Sequence, residues 1–256
     1  ALYHPLSENF RYYQFFTPKF LSKAAHIVTV SAYTKQDMVE TYQTDAAKIS
    51  VACNGCNPNF TPLQEVEKQA IKSKYTNGKD YFFYIGAIHP RKNVARLIAA
   101  YDLFRQRTES DIQLVLAGRM AWQTGLVGDA IKVANYADDI IFLGYIPDQD
   151  LPKLTGAAFA STYVSLFEGF GIPILEAMHC DVPVLTSNVS SMPEVAGEAG
   201  LLVDPESVDS IATGMQQLLK SEVRAKMIAA GRIQRELFSW EQATKVIWEA
   251  VTRESG

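Results

Sequence analysis

The sequence predicts an α/β fold with a Rossmann-like, doubly wound parallel sheet. Short and almost continuously apolar runs alternate along the chain with longer segments of helical period. Such runs are typical of parallel strands that are buried on both faces. The alternation is regular, which favours right-handed crossovers between neighbouring strands. With 256 residues, 48% of them apolar and 20% charged, the chain is long enough for one large domain or two smaller ones.

The predicted strands are runs rich in β-branched and aromatic residues: 26–30, 48–52, 81–85, 112–118, 139–144, 157–161, 182–186 and 200–204. The predicted helices cover 32–42, 63–74, 93–107, 123–136, 149–154, 173–179, 206–219, 222–237 and 239–251. Ser31, Asp148 and Ser239 are the predicted N-caps, because their side-chain oxygens can accept from first-turn amides. In the last helix, Trp240, Val246, Ile247 and Val251 are expected to be buried.

Six aromatic residues lie close together near the start of the chain: Phe10, Tyr12, Tyr13, Phe15, Phe16 and Phe20. We expect them on one helix that packs on a sheet or on a neighbouring domain. A nucleic-acid stacking platform would need more interleaved basic residues than Arg11 and Lys19.

One segment, 53–67, is dense in Asn, Gly and Pro and predicts a domain boundary. Two strands precede it and about six follow, which is enough for one complete Rossmann-like domain. We therefore expect a remnant of one domain at 1–58, a complete domain at 59–237 and a closing helix at 238–256 that crosses back to the first.

Composition excludes several classes of function. The net charge of −4 and pI near 5.6 argue against a nucleic-acid partner, which needs a basic surface. No apolar run approaches the roughly 18 residues that span a bilayer. Three cysteines cannot all pair within the chain, which favours a reducing, cytoplasmic location. The opening residues lack a start methionine and a signal-peptide pattern, and we expect them to be the middle of a longer sequence.

Two glutamates, Glu168 and Glu176, flank the segment GFGIPIL. Pro173 suits the first turn of a helix, and Gly171 allows backbone to approach a ligand. The amides of Phe170, Gly171 and Ile172 would then lie at the positive end of that helix and bind an anion or a hydroxyl. Carboxylates accept hydrogen bonds from pairs of sugar hydroxyls. The alternative, that both glutamates are solvated surface charges, stays open from the residues alone.

A second candidate site follows the predicted strand 81–85. The strand ends at Gly86, and Arg91 and Lys92 come shortly after it, where a helix is predicted to begin. Cations oppose the dipole at a helix start unless an anion is bound, and an arginine fork with a lysine suits a diphosphate. The alternative is a solvated pair of charges. The segment is neither a P-loop nor a GxGxxG fingerprint.

Two other motifs are interpreted as structural. His89, in the same turn, is expected to serve as a hydrogen-bonding residue rather than a base. The C-x-x-C pair Cys53 and Cys56 follows a strand, lies in a loop and has no second pair for zinc.

Taken in order, these segments resemble the retaining glycosyltransferases of family 4, which have the GT-B fold. EGFGIPILEAM resembles the family's E-x7-E site, and FFYIGAIHPRKN its phosphate turn. KISVACNGCNPNF resembles the segment between its two domains, and PEVAGEAGLLVDP a later part of its sugar site. The likeness covers nearly the whole chain, and it implies that the chain is the C-terminal donor domain plus a remnant of the N-terminal domain.

The resemblance implies transfer of a sugar from a nucleotide-diphosphate sugar, UDP- or GDP-linked, to a glycan or lipid-linked acceptor, with retention and without a metal or other cofactor. Arg91 and Lys92 would bind the diphosphate after Gly86 and stabilise the leaving group. Glu168, with the amides of Phe170 and Gly171, would hold the sugar, and Ile172 would be a further donor-binding residue. Glu176 would bind the ribose hydroxyls, and Tyr145 and Ile146 would pack on the base.

The sequence also departs from the family pattern. Ala87 stands where many members carry an arginine, so leaving-group stabilisation would depend on Arg91 and Lys92. We expect about 100 residues of a first Rossmann domain, with most of the acceptor site, to lie outside this chain. Two alternatives stay open: a nucleotide-sugar-binding module without turnover and a GT-B epimerase.

The resemblance also bears on location and partners. Family members that build surface glycans work at the cytoplasmic face of the membrane, and whether this chain attaches to that face stays open. Exposed apolar surface where the first domain would pack predicts homo-oligomer formation.

Overall fold

The computed structural model describes residues 8–119 and 125–252, with side chains from residue 12 onward. Within it the chain forms two compact units. One contains residues 56–237, and the other combines residues up to 55 with those from 238 onward. The larger unit carries every residue of the two candidate sites.

The larger unit contains a six-stranded parallel sheet, as predicted. Its strands are β3 (Tyr81–Ile85), β4 (Gln113–Ala117), β5 (Ile140–Gly144), β6 (Ala160–Tyr163), β7 (Val184–Ser187) and β8 (Gly200–Val203). They are arranged in the order β5-β4-β3-β6-β7-β8. Counted within this unit the order is 3-2-1-4-5-6, the doubly wound Rossmann order. Strands β4 and β5 are added on one side of β3, and β6 to β8 on the other, so the strand order reverses between β3 and β6. Such sheets bind ligands at this switch point.

The helices of this unit are α3 (Glu65–Thr76), α4 (Val94–Arg107), α5 (Gly125–Val133), α6 (Leu151–Gly156), α7 (Ile172–His179), α8 (Met192–Ala196), α9 (Val208–Gln217) and α10 (Ser221–Gln234). Strand β3 shows how they enclose the sheet. Its residues alternate between two cores, Phe82 and Tyr84 in one and Tyr81 and Phe83 in the other, because successive strand residues point to opposite faces. A strand buried on both faces is almost entirely apolar for this reason.

The smaller unit contains the parallel strands β1 (Ile27–Thr29) and β2 (Ile49–Val51) with helices α1 (Glu8–Lys23), α2 (Ala32–Tyr42) and α11 (Trp240–Thr252). Ser31 caps α2 as predicted, since its hydroxyl accepts from the Thr34 amide at 3.0 Å. Ser239 accepts from the Gln242 amide at 3.1 Å at the start of α11.

Several local predictions were wrong. Asp148 does not cap the following helix, which begins at Leu151 after Asp150. The strand predicted at 157–161 lies at Ala160–Tyr163. In α11 the buried residues are Ala243 and Ala250, whereas Trp240, Ile247 and Val251 are exposed and Val246 is half-buried. The small side chains of this helix therefore face the interior.

The helix predicted for the N-terminal aromatic residues is present as α1, but Tyr12, Tyr13, Phe15 and Phe20 are exposed. Among the described side chains the rings contact one another, with 4.6 Å between the ring centroids of Tyr12 and Phe16. These exposed residues are not packed on a sheet, and the alternative of packing on a neighbouring domain stays a prediction. Two parts of these predictions lie outside what the structure describes. The side chain of Phe10 is not described, and neither are residues 123 and 124 at the start of the helix predicted at 123–136.

Candidate functional site

The candidate site lies at the carboxyl ends of β3 and β6, beside the switch point of the sheet. After β3 the chain turns at Gly86 and enters a single 3-10 turn, Pro90–Lys92. His89 begins this turn, and its Nδ1 accepts from the Arg91 amide at 3.2 Å, which agrees with the predicted structural role. Asn93 then adopts a left-handed conformation with φ of 62° and starts α4. Arg91 and Lys92 thus lie on a short turn immediately before α4.

Two glycines bring β3 and β4 together just behind this turn. Gly118 follows β4 with φ of 140°, and a Cβ atom there would lie 1.9 Å from the carbonyl oxygen of Gly86. Ile88 donates its amide to the Arg119 carbonyl at 3.0 Å. A side chain at residue 118 would therefore displace the backbone of the phosphate turn that the sequence predicts.

Arg91, Lys92 and Glu168 form what we call the ion-pair cluster. The Glu168 Oε2 atom lies 2.6 Å from Arg91 Nη1, and its Oε1 atom lies 2.7 Å from Lys92 Nζ. The Glu168 side chain is 9% exposed, that of Lys92 14% and that of Arg91 35%. Burial raises and the two cations lower the pKa of Glu168, and the net direction is downward. The pKa of Lys92 is lowered by burial, which outweighs the opposing effect of Glu168.

Sequence reasoning missed the residues that hold this cluster in place. Lys92 donates to the hydroxyl of Tyr163, the last residue of β6, at 2.6 Å. Asn93 donates to the carbonyl oxygens of Val164 at 3.0 Å and Pro205 at 2.7 Å. These contacts join the turn after β3 to the end of β6 and to the segment after β8. The partners are separated by 71 residues or more along the chain, so no local pattern could have indicated them.

The loop that carries Glu168 is held by two serines from the segment between β7 and α8. Ser190 accepts from the Glu168 amide at 3.1 Å. Ser191 donates to the carbonyl oxygens of Glu168 at 2.9 Å and Phe170 at 2.8 Å. A buried loop needs such partners for its backbone groups, and they restrict the position of the Glu168 carboxylate.

Helix α7 begins directly after this loop, as predicted. Gly171 precedes it with φ of 113°, a conformation that suits glycine. The amides of Gly171 and Ile172 have no acceptor one turn earlier in the helix. Phe170 is 4% exposed and Ile172 is 37% exposed. Residues 170–172 therefore lie between Glu168 and the first turn of α7, with the Phe170 ring buried and the Ile172 side chain reaching solvent.

Glu176 lies one turn into α7 and is half-buried. Burial raises its pKa to about 7. Within the described part of the chain its carboxylate makes no ion pair and no hydrogen bond to another side chain. The nearby thiols of Cys56 and Cys180 have pKa values raised to about 12 by burial, with the Glu176 charge as a further cause. The cysteines are therefore neutral thiols, and Glu176 has unused acceptor capacity.

Tyr145 and Ile146 follow β5, at the edge of the sheet and two strands away from β3. Tyr145 is 66% exposed, and Ile146 packs against the apolar core beneath it. The structure places neither residue in the ion-pair cluster. Their predicted role in packing on a base stays a prediction.

A cavity of about 300 Å³ lies on the α4–α5 side of the turn, lined among others by His89, Asn93, Arg96, Val127 and Leu166. The members of the ion-pair cluster are not among its lining residues. The ion-pair cluster therefore lies outside this cavity. Among the described residues there is no group of three or more His, Cys, Asp or Glu side chains arranged to hold a metal ion. No described helix is long and apolar enough to cross a membrane.

Comparison with known families identifies the larger unit. The family model described as glycosyl transferases group 1 matches residues 65–234, which is more than half of the chain. The chain belongs to the group 1 glycosyl transferases. The matched region contains the ion-pair cluster, α7 and all six strands of the sheet. The narrower assignment to family 4 stays an expectation.

The curated relatives of this group 1 glycosyl transferase chain include enzymes named for mannose transfer. O-antigen chain mannosyltransferase B of Escherichia coli is 37% identical over 244 residues, which cover 94% of this chain and 64% of that protein. O-antigen chain mannosyltransferase RfbU of Salmonella typhimurium is 28% identical over 81% of this chain and 54% of that protein. The chain therefore spans less than two thirds of the length of these relatives.

Solved structures support the same fold. The complex of Anabaena Alr3699/HepE with UDP and glucose superposes with a TM-score of 0.80 at 19% identity, over 93% of this chain and 68% of that one. The C-terminal domain of a group 1 family glycosyl transferase, LpcC from Francisella tularensis, superposes with a TM-score of 0.60 at 27% identity, over 68% of this chain and 93% of that one. The predicted α/β fold with GT-B relatives is confirmed.

Proposed function

We propose that the protein is a retaining glycosyltransferase that moves a hexose, with mannose as the first candidate, from a nucleotide-diphosphate sugar to a glycan acceptor. The observation that carries this proposal is the ion-pair cluster at the switch point of a group 1 glycosyl transferase domain. Mannose is suggested by the names of the two curated relatives. GDP-mannose is accordingly the first donor to test, with UDP-linked sugars as the alternative.

The chemistry of the cluster suits a diphosphate leaving group. Breaking the bond between the sugar and the diphosphate leaves negative charge on the β-phosphate. Arg91 and Lys92 are held at one turn by Tyr163, Asn93 and Glu168 and would stabilise that charge as it develops. Preorganised charges of this kind reduce the reorganisation needed during reaction.

We further propose that transfer proceeds without a metal ion, because the two cations and the first turn of α7 would supply the positive charge that a metal supplies in other transferases. Glu168 and the amides of residues 170–172 would bind the sugar hydroxyls. Glu176 would accept from the ribose diol, and its lack of a side-chain partner among the described residues leaves it able to do so. Retention is the stereochemistry that the resemblance to family 4 implies.

The test is transfer from GDP-mannose, compared with UDP-glucose and UDP-galactose, to a synthetic mannoside with a hydrophobic aglycone. The product is analysed by mass spectrometry and by NMR of the new anomeric centre, with and without EDTA. We expect a mannosylated product with the α-configuration of the donor and an unchanged rate in EDTA. A β-linked product would overturn retention, and loss of activity in EDTA would overturn metal independence.

Ligand-observed NMR with UDP, GDP, ADP and dTDP tests the donor site independently of any acceptor. A preference for one nucleotide, lost in Lys92→Ala, is the expected result. An epimerised donor recovered without acceptor would indicate an epimerase instead. If no nucleotide bound, the assignment of the donor site would be wrong.

A further inference from the structure

The single carboxylate of Glu168 forms ion pairs with both cations of the ion-pair cluster. Each of its oxygens faces a different cation, at 2.6 and 2.7 Å. Within the described residues, no other carboxylate forms an ion pair with Arg91 or Lys92. Glu168 is therefore an anion that is built into the place where the proposed function puts the phosphates of the donor.

A bound diphosphate would have to share these cations with Glu168. Lys92 has three N–H donors; it already donates to the Tyr163 hydroxyl and forms an ion pair with Glu168. Arg91 donates to the Phe167 carbonyl as well as to Glu168. A carboxylate at this position also repels an incoming phosphate, and the repulsion is strong because the Glu168 side chain is only 9% exposed.

The repulsion by Glu168 should be stronger for the product, a nucleoside diphosphate, than for the donor, a nucleotide sugar. A nucleoside diphosphate carries one more negative charge than the corresponding nucleotide sugar, and that charge is on the terminal phosphate. A nucleotide sugar also brings hydroxyl groups, which can donate to the same carboxylate. Glu168 would thus disfavour the product and favour the donor.

We propose that Glu168 sets the preference of this site for a nucleotide sugar over the free nucleoside diphosphate by acting as an internal anion on Arg91 and Lys92. The inference rests on the proposed function. It adds a role in product release, because transfer of the sugar removes the hydroxyl groups that Glu168 binds and leaves two anions facing each other. Binding energy that differs between donor and product is the basis of such discrimination.

The test compares wild-type protein with Glu168→Gln, which keeps the shape of the side chain and removes the charge. Inorganic pyrophosphate, GDP and GDP-mannose are titrated by calorimetry. We expect pyrophosphate and GDP to bind about tenfold tighter to Glu168→Gln, which corresponds to the loss of one close repulsion. GDP-mannose should gain less, so that the ratio of its affinity to that of GDP falls.

The matched control is Glu109→Gln. Glu109 is exposed and lies between α4 and β4, at the amino ends of the strands and thus at the opposite edge of the sheet. The Glu109→Gln variant changes the net charge by the same amount as Glu168→Gln and should leave the affinities for pyrophosphate, GDP and GDP-mannose unchanged. An equal gain in this variant would attribute the effect to net charge and overturn the inference.

A second measurement guards against a variant that fails to fold. Glu168→Asp keeps the charge, but its shorter arm cannot reach both cations, so pyrophosphate should bind with an affinity between those of wild type and Glu168→Gln. Pyrophosphate should also raise the unfolding midpoint of either variant more than that of wild type.

The outcomes separate the two proposals. If wild type binds GDP and both Glu168 variants bind pyrophosphate and GDP no better, or worse, Glu168 orients the cations rather than competing for them, and the inference is wrong while the donor site stands. If neither wild type nor any variant binds pyrophosphate or a nucleotide, both the inference and the proposed function are wrong.

Discussion

The Lys92 ammonium donates to the Tyr163 hydroxyl oxygen at 2.6 Å, and this bond joins the turn after β3 to the end of β6. The Tyr163 side chain is 2% exposed, and burial, together with the Glu168 charge, raises its pKa well above the usual range. Tyr163 therefore remains a neutral acceptor at every pH at which the protein would be assayed. Its oxygen accepts from the ammonium of a lysine whose pKa is lowered by burial.

Tyr163→Phe removes this acceptor and leaves the ring in place. Because the hydroxyl stabilises the ammonium, its removal should lower the pKa of Lys92 further below the usual lysine value. The proposed role of Lys92 in binding GDP requires the ammonium form, so we expect the loss of affinity at high pH to begin about half a pH unit lower in the variant than in wild type. The measurement is GDP affinity from pH 7 to 10.

Tyr81→Phe is the control for that experiment. It removes a buried hydroxyl from the opposite end of β3, where Tyr81 donates to the Leu154 carbonyl at 2.6 Å. Both variants should lose about 1 kcal/mol of stability. A shifted pH profile in both would mean that the effect is structural rather than specific to Lys92.

Lys92→Ala tests whether this lysine binds phosphate. We expect affinity for GDP to fall about 10- to 100-fold, the range for a hydrogen bond to a charged group, and affinity for guanosine to stay the same. Lys132→Ala, in which the replaced side chain is 78% exposed, serves as the control and should bind both ligands normally. Equal losses for GDP and guanosine would indicate a general distortion of the site.

Glu176→Gln tests binding of the ribose. With wild type we expect GDP to bind better than 2′,3′-dideoxy-GDP. In the variant the two ligands should differ much less, because the carboxylate that is proposed to accept from the two hydroxyls is gone. Affinities measured for both ligands and both proteins form a double-difference cycle. If the loss of affinity caused by removing the two hydroxyls were the same in both proteins, Glu176 would not bind the ribose.

The raised pKa of Glu176 also predicts how stability depends on pH. The pKa is about 7 in the folded protein and 4.5 as the ordinary value. Between these values the folded state binds more protons than the unfolded state at this residue, so its contribution to stability is complete below pH 4.5 and is lost as the pH rises through 7. The loss amounts to at most about 1.4 kcal/mol per pH unit.

Glu176→Gln should therefore become more stable relative to wild type as the pH rises from 5 to 8, measured as the free energy of unfolding in urea. The exposed Glu222 on α10 provides the control variant, Glu222→Gln, whose difference from wild type should not change over this window. A constant difference for Glu176→Gln as well would mean that its carboxyl group titrates normally.

Gly118→Ala tests the close approach of Gly118 to Gly86, behind the turn that carries Arg91 and Lys92. The new Cβ atom would lie 1.9 Å from the Gly86 carbonyl oxygen, at a φ of 140°, so the backbone would have to move. We expect a loss of stability of more than about 2 kcal/mol and weaker GDP binding. Gly128→Ala, inside α5 with open space around the added atom, should instead be neutral or stabilise by up to about 1 kcal/mol.

Much of the fold could be predicted from local patterns. Strand β3 and helix α2 have the predicted bounds, because an unbroken apolar run and a serine cap are local signals. The predicted position of strand β6 was wrong. The predicted run, AAFAS at 157–161, is mostly apolar, whereas the strand itself, ASTY, contains three residues with hydroxyl groups. Its hydroxyl groups bond to neighbouring strands, as Thr162 does to the Phe83 carbonyl at 3.2 Å. The predicted buried face of α11 is wrong, because its small residues Ala243 and Ala250 are internal and its large apolar residues Trp240, Ile247 and Val251 are exposed.

The sequence by itself determined the doubly wound sheet and the residue types at its carboxyl edge, since both follow from periodicity and from motifs within about a dozen residues. Only the tertiary structure decided how these residues are paired. The division of the Glu168 carboxylate between two cations and the bond from Lys92 to Tyr163 join the turn after β3 to β6 and the loop that follows it. They form because the parallel sheet places those strand ends side by side, and burial makes each charge depend on partners that are remote in the sequence.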